Sequence, residues 1–496
     1  MNYQLCDYFN GNHSAPLAPV AVAALMLALA GCAPLPVKDA PPTLAAARVA
    51  DLVADGPASP ASPASPASAP RAAVLGDYGD AQLNHLVALA LEDSPTMAVA
   101  QARVRQADAA AGQTQASAGA SLALDGQATR ERYPEHGLYP PPIAGSTRTS
   151  GHVALDFSYD FDFWGRNRTA LDAALGRASA ARADAQAAAA TLATSVARTY
   201  FQWQAADQHL RIAQALEAQR RAIVERQARR VRAGLAPGAD LAPLNADAAA
   251  PRQSIVQLET QRAQAERQLQ ALVGVHALPA LATTPLPALA AAPDADARLD
   301  LLARRPEVAA ARDRVQAALK DVDSQRAAFY PDISISALAG FDALQLGSLL
   351  HGANRELSAT PAIHLPIFDA GRLRAGLDAK RADVALAAAQ YDQALQQAIG
   401  EVNDATVRLQ GAQREAAPLE AQRRGRERDL ASARLREQAG LIDGRERLVD
   451  ELVLTSLQDQ ELNLRLQTLL ARIDLDHALG GSVPAPLPAA VASTAR

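Results

Sequence analysis

The chain has 496 residues, a net charge of -5 and only 4% aromatic residues. Alanine-rich helices pack closely but give thin cores, so this composition argues against a series of large globular cores. The mild negative charge provides no general attraction for nucleic acid, which argues against a nucleic-acid-binding protein.

The first 31 residues read as a lipoprotein signal peptide. The apolar run 17–30 has the length of a signal h-region and is too short to span a membrane as a helix. It ends in Leu29-Ala30-Gly31-Cys32, which resembles a bacterial lipobox and predicts lipidation of Cys32. In similar lipoproteins, an alanine such as Ala33 after the cysteine accompanies sorting to the outer membrane. A signal peptide normally has positively charged residues before its apolar run. Residues 1–16 contain no Lys or Arg, so we expect the true start of translation to lie further along the chain.

The remaining chain divides into two repeats with a period of about 206 residues, because Ala233-Gly234-Leu235 returns as Ala439-Gly440-Leu441. Residues rich in Pro, Ala and Ser cannot bury a core and read as connecting segments. The predicted segments are a tether at 32–75, repeat 1 at 76–277, a linker at 278–297, repeat 2 at 298–481 and a disordered tail at 482–496.

Each repeat predicts a helix, two strands, a long helix, a turn and a closing helix. In repeat 1 these are expected at 80–118, 119–131, 149–163, 166–232 and 240–274. In repeat 2 they are expected at 299–328, 331–343, 356–368, 372–438 and 445–479.

The strands give the sharpest signal. Apolar residues alternate with polar ones from Val153 to Phe163, and the polar set includes Asp156, Asp160 and Asp162. Alternation with a period of two indicates one apolar face and one polar, acidic face. A soluble sandwich would show the same alternation. The lipobox, and the aromatic residues gathered at one strand end, favour a membrane barrel instead.

The long helices are the second signal. Sixty-seven residues at 1.5 Å each give about 100 Å, so such a helix has to lie against other long helices. Apolar residues recur every seven positions on both long helices, which indicates left-handed coiling. The grid residues are Val196, Trp203, Leu210, Val224 and Val231, then Val402, Leu409, Ala416 and Leu430, with interruptions at Glu217 and Arg423.

Four strands per chain cannot close a barrel, because bacterial outer-membrane barrels have at least eight. Copies therefore have to pool their strands. Two copies would give a barrel filled by side chains, whereas three would give twelve strands and a lumen that suits an acidic inner face. We expect an α+β membrane protein: a trimer with a 12-stranded outer-membrane β-barrel, continued by a long periplasmic α-helical barrel.

Further motifs carry a family resemblance. They include Ala328-Phe329-Tyr330-Pro331-Asp332 before the third strand and Leu365-Pro366-Ile367-Phe368-Asp369 after the fourth. With the duplication and the lipobox, the chain resembles an outer membrane factor of the TolC/OprM type, in particular the NodT-like efflux lipoproteins. The resemblance implies a lipid-anchored homotrimer in the outer membrane of a Gram-negative bacterium. It also implies a periplasmic adaptor protein and an inner-membrane pump, of the resistance–nodulation–division type in drug efflux.

The resemblance also assigns roles at the two helix turns. Adaptor docking is expected at Gly234, Leu235, Asp240, Gly440 and Leu441. The glycines equally suit helix ends, and Asp240 and Glu446 equally suit caps. Acidic positions of a periplasmic gate correspond to Asp443 and Glu446. The third acidic position of the gate is displaced. Val449 occupies the position where the family commonly has an acid, and Asp450 lies about 100° further round the helix.

The expected function is a passive exit duct of a tripartite pump that exports small molecules and drugs. Alternatives are an exit duct for type I protein or peptide secretion and a structural coiled-coil lipoprotein. An enzyme is not expected, because the sequence contains no zinc motif, nucleotide-binding loop or nucleophile elbow. No catalytic, cofactor or metal residue is predicted.

Overall fold

The computed structural model describes residues 78–287 and 305–480. The predicted signal peptide, Cys32, the tether, the C-terminal tail and much of the linker lie outside these residues. The four strands, the two long helices and the two closing helices predicted in the repeats are present, in the predicted order.

Repeat 1 contains four helices and two strands: α1 Ala81–Asp93, α2 Pro95–Ser117, β1 Ser121–Arg132, β2 Thr147–Phe161, α3 Arg166–Arg232 and α4 Leu241–Val273. The prediction of a single helix at 80–118 is wrong, because this segment forms two helices divided at Ser94. The Ser94 backbone is extended, and its hydroxyl caps the next helix at Pro95. A residue before proline avoids helical backbone angles, and proline favours a first helical position.

Repeat 2 contains α5 Pro306–Ala327, β3 Asp332–Ala343, β4 Arg355–His364, α6 Arg372–Gln438 and α7 Gly444–Ala478. The strand expected at 356–368 ends four residues early, where Pro366 lacks the N–H that would continue the ladder. Both long helices have the predicted bounds, and each contains 67 residues. The first part expected of the helix at 299–328 lies outside the described residues.

The four strands form one antiparallel sheet in the order β1-β2-β3-β4. The central pair joins the two repeats, with Val153 on β2 opposite Phe341 on β3. Gly340 allows this close approach, because a Cβ there would overlap the β2 backbone at Val153 and Ala154. Strands β1 and β4 remain at the two edges, each paired on one side within the chain.

The long helices pack against the shorter ones along their whole lengths, as the sequence predicts. Near the sheet the main contacts run in the order α2-α3-α5-α6, and away from it in the order α4-α3-α7-α6. Helix α6 is therefore at one edge of the helical layer throughout, and α2 and α4 are at the other. Within the described residues, no helix is both long and apolar enough to cross a membrane.

The largest core lies at mid-length, where α1, α3, α4 and α7 meet. Buried Tyr200 donates a hydrogen bond to Asp80 at 2.8 Å and accepts one from Gln204 at 2.8 Å. Burial and the Asp80 hydrogen bond raise the pKa of Tyr200 to about 12, so the phenol remains a donor. Gln204 also donates to the Ala282 carbonyl, which ties residues of the predicted linker to α3.

Candidate functional site: the sheet faces and the helix turns

One face of the sheet is apolar across all four strands. The cross-strand partners Leu124, Leu155, Ala339 and Leu357 form one continuous row, and Phe161, Ile333 and Ile363 form another. Except for Ile333, which is half-buried, these side chains are exposed: Leu124 is 70% and Leu357 85% accessible. A large exposed apolar face on a sheet marks a surface that contacts lipid or another apolar partner.

The opposite face is polar. Asp125 lies opposite Ala154, while Asp156 is bracketed by Ala123 and Leu338. Three residues that sequence reasoning did not connect meet here: His152, Asp342 and Glu356 offer ligand atoms within 4.8 Å of one another. They come from three different strands, so only the sheet register could have revealed them. Exposed acidic groups often gather in this way without an ion, and we assign this cluster no metal role.

Aromatic side chains gather where the strands meet the helices. Phe161 and Phe163 stack with ring centroids 5.7 Å apart, and Trp164 stacks on Tyr330 at 4.7 Å. The Trp164 indole donates to the Pro331 carbonyl at 2.8 Å, while its ring remains half exposed. An aromatic ring with one polar contact suits the boundary between lipid and water.

The two turns at the far ends of the long helices have the same backbone. Gly234 and Gly440 both have a φ of 71°, in the left-handed region that favours glycine. Leu235 N–H bonds to the Arg230 carbonyl, and Leu441 N–H bonds to the Arg436 carbonyl, which is the Schellman pattern at a helix end. Leu235 and Leu441 follow as exposed side chains.

Ion pairs attach the second turn to repeat 1. Arg230 of α3 contacts Asp443 at 2.6 Å, and Arg226 of α3 contacts Glu437 of α6 at 3.5 Å. Glu437 also pairs with Arg447 of α7. Gly444 is buried beneath this network, where an added methyl group would overlap Glu437 and Arg226.

The acids predicted at the turns have different surroundings. Asp443 caps α7 by accepting from the Arg445 N–H at 2.8 Å. Asp240 makes no capping bond and accepts from the Gln227 amide at 3.2 Å. Glu446 lies 3.8 Å from Arg436, and Asp450 is half-buried on α7.

Charges at the two interruptions of the seven-residue grid also pair across helices. Glu217 of α3 bonds to Arg252 of α4 at 3.0 Å, and Arg423 of α6 lies 3.8 Å from Glu461 of α7. Hydrogen bonds from Arg252 and Arg221 lower the pKa of Glu217. Each interruption therefore carries an ion pair within its own helical hairpin, formed by α3 and α4 in repeat 1 and by α6 and α7 in repeat 2.

Near the turn of repeat 2, hydrogen bonds to Glu437 and Glu451 raise the pKa of Arg447.

A family model described as outer membrane efflux protein matches residues 86–275 and 299–481. The chain belongs to this family. It is 31% identical to a protein of Escherichia coli O6:H1 named multidrug resistance outer membrane protein MdtQ. The alignment spans 417 residues and covers 82% of this chain and 87% of that relative. Identity to the protein named MdtP of Escherichia coli K12 is 32% over 351 residues, covering 69% of this chain and 72% of that relative.

The solved structures agree with this membership. The outer membrane protein VceC of Vibrio cholerae is 32% identical, aligns with a TM-score of 0.73, and covers 82% of this chain and 97% of that one. The predicted resemblance and fold class are confirmed. The family consists of channel-type efflux proteins, so the chain is not an enzyme.

Proposed function

We propose that three copies of this chain form the outer-membrane exit duct of a tripartite efflux pump, which exports small molecules passively. The observation that carries the proposal is the open sheet: four strands, one continuous apolar face, and two edges with no further strand of the described chain beside them.

An open sheet is costly in lipid. Unpaired N–H and C=O groups on β1 and β4 each cost several kcal/mol in a hydrocarbon environment. Pairing β4 of one copy with β1 of the next removes that cost. Twelve strands leave a lumen, while eight leave an interior that side chains fill. The polar face with Asp125, Asp156 and Glu356 then lines water, and the apolar face meets lipid.

The helical layer supports the same assembly. Helix α6 is an edge helix along its full length, and Leu386, Val407 and Leu435 on it are exposed. The expected grid residue Ala416 is also exposed. Val99 of α2 and Val256 of α4 are exposed on the opposite edge. In a ring, α6 of one copy covers α2 and α4 of its neighbour.

The remaining assignments rest on position and on the relatives. Relatives named for multidrug resistance favour drug-like cargo. Membership of the outer membrane efflux protein family favours an adaptor protein and an inner-membrane pump, which we assign to the resistance–nodulation–division type. Lipidation at Cys32 would anchor the duct in the outer membrane. The adaptor would dock at the turns formed by Gly234, Leu235, Asp240, Gly440 and Leu441. Asp443, Glu446 and Asp450 would line the periplasmic gate.

Reconstitution into planar bilayers tests the proposal. We expect discrete channels from trimers. Ala359→Arg places a charge on the apolar face of β4, where it costs about 2–4 kcal/mol near the bilayer midplane, and should reduce the yield of inserted channels. Thr360→Arg places the same charge on the polar face and is the matched control; insertion should persist. Equal insertion of both variants, or channels from single subunits, would contradict the proposal.

A further inference from the structure

The periplasmic tip is basic in a chain that is acidic overall. Residues 226–240 and 434–447 contain eight arginines and four acids, a net charge of +4 per chain. The whole chain has a net charge of -5, so the rest carries -9. These two segments are therefore more basic than the chain as a whole, with the acids Glu225, Asp450 and Glu451 just outside them.

Five of these arginines have acidic partners within the chain. Arg226 and Arg230 pair with Glu437 and Asp443, as described above. Arg434, Arg436 and Arg447 pair with Glu451, Glu446 and Glu437, respectively. Arg226 and Arg230 join α3 to the α6–α7 hairpin, and the other three pair within that hairpin.

The other three are Arg229, Arg232 and Arg445. All three are exposed, and none of their guanidinium groups contacts a carboxylate within the described part of the chain. Arg229 and Arg232 lie in the last turn of α3, where a cation suits the helix dipole. Arg445 lies in the first turn of α7, where a cation opposes it. Stability of its own helix therefore does not account for Arg445.

These arginines lie beside the two exposed turn leucines. Leu235 is three residues after Arg232, and Leu441 is four residues before Arg445; the two leucines are 70% and 73% accessible. The tip thus combines apolar side chains with cations whose charge the described chain does not neutralise. Such a surface favours a partner with the complementary arrangement.

We infer that Arg229, Arg232 and Arg445 select an adaptor whose helical hairpin carries Asp or Glu beside an apolar residue at its turn. The inference rests on the proposed function, because it names the chemistry of the partner that docks at these turns. Opposite charges across the contact would speed association and reject hairpins with basic tips. The preference should weaken with salt, since the arginines are exposed.

The test uses the full-length protein in detergent and two synthetic helical hairpins as probes. The hairpins have the same length and a leucine at the turn; one carries three Glu around the turn and the other three Lys. At about 0.05 M NaCl, we expect the native protein to bind the Glu hairpin at least about tenfold more tightly. The combined Arg229→Glu, Arg232→Glu and Arg445→Glu variant should reverse that preference, whereas the matched triple Lys variant should keep it.

Equal affinity for both hairpins, no binding of either, or a preference that survives the Glu variant would overturn the inference. It would also fall if the Glu variant altered only the ion selectivity of the channel, which would place the arginines in the lumen. Bilayer conductance of the native protein separates the two claims. A conducting protein without hairpin preference contradicts this inference alone, and a protein that forms no channel contradicts the proposed function.

Discussion

The two helix turns share a backbone and differ in attachment. Gly234 and Gly440 have the same φ, and the same two hydrogen bonds close each helix. The turn of repeat 2 is fastened to α3 by Arg230 and Arg226. The turn of repeat 1 has no ion pair between Asp240 and another helix among the described residues; its contact is the Gln227 amide of α3.

Duplication has therefore preserved geometry and divided the roles of the side chains. Asp443 corresponds to Pro237 in repeat 1 at the 206-residue offset, so the charge that binds Arg230 exists in one repeat only. If the proposed gate opens by releasing one hairpin, we expect that hairpin to be the one formed by α6 and α7, because ion pairs attach it to α3.

The largest effect is expected from Gly444→Ala. The added methyl group displaces Glu437 and Arg226, which are ends of flexible side chains, so the fold should survive while two ion pairs weaken. Partly exposed pairs contribute up to about 1 kcal/mol each, which predicts a severalfold rise in passive conductance. Single-channel recording measures it. Gly238→Ala at the equivalent position is the control, because a methyl group there makes only an ordinary contact with Val231 at 3.9 Å. An equal rise in conductance there would remove the asymmetry.

A smaller effect is expected from Arg230→Gln. This change removes the 2.6 Å contact with Asp443 and leaves the Arg226 pair in place. A single partly exposed pair is worth about 0.2–1 kcal/mol, so conductance should rise by less than in Gly444→Ala. Arg436→Gln at the equivalent position loses only a 3.8 Å contact and serves as control. If the control variant conducted more than Arg230→Gln, the ranking of the two attachments would be wrong.

Glu446→Gln should raise conductance slightly, since it neutralises a predicted gate acid whose contact with Arg436 is long. Asp240→Asn is the counterpart in repeat 1 and should change conductance less. Single-channel recordings at several pH values from 4 to 8 measure both variants. An unchanged Glu446→Gln channel across this range would argue against Glu446 as part of the gate.

The smallest effect is expected from a change within the helices, away from the turns. Arg252 and Arg221 lower the pKa of Glu217 in the folded chain, so its stabilising contribution is present above the unfolded pKa and is lost as pH falls through the lowered folded value. Glu217→Gln should reduce the melting temperature slightly at neutral pH. The difference from the native protein should shrink as pH falls below the ordinary glutamate pKa and vanish once Glu217 is protonated in the folded chain. A difference that persisted in acid would show that another contact of Glu217 matters.

The repeat explains why much of the fold could be predicted. The bounds of α3 and α6 were accessible because each helix begins just after Gly165 or Gly371 and ends just before an Ala-Gly-Leu turn. The break at Ser94 was also signalled, by the following proline. Contacts between elements that lie far apart in the sequence could not be predicted. Arg230 and Asp443 are 213 residues apart, and their meeting depends on how α3 rotates against α7.

Pairing between neighbouring copies tests the account most directly. Ala359→Cys on β4, combined with single cysteines across β1 from Leu122 to Arg130, should form intermolecular disulfides in outer membranes at matching register positions. Oxidation should then produce a covalently closed trimer that is lost on reduction. A conducting protein in which no β1 position reaches β4 of another copy, or in which the linked species contains two or four chains, would contradict the account.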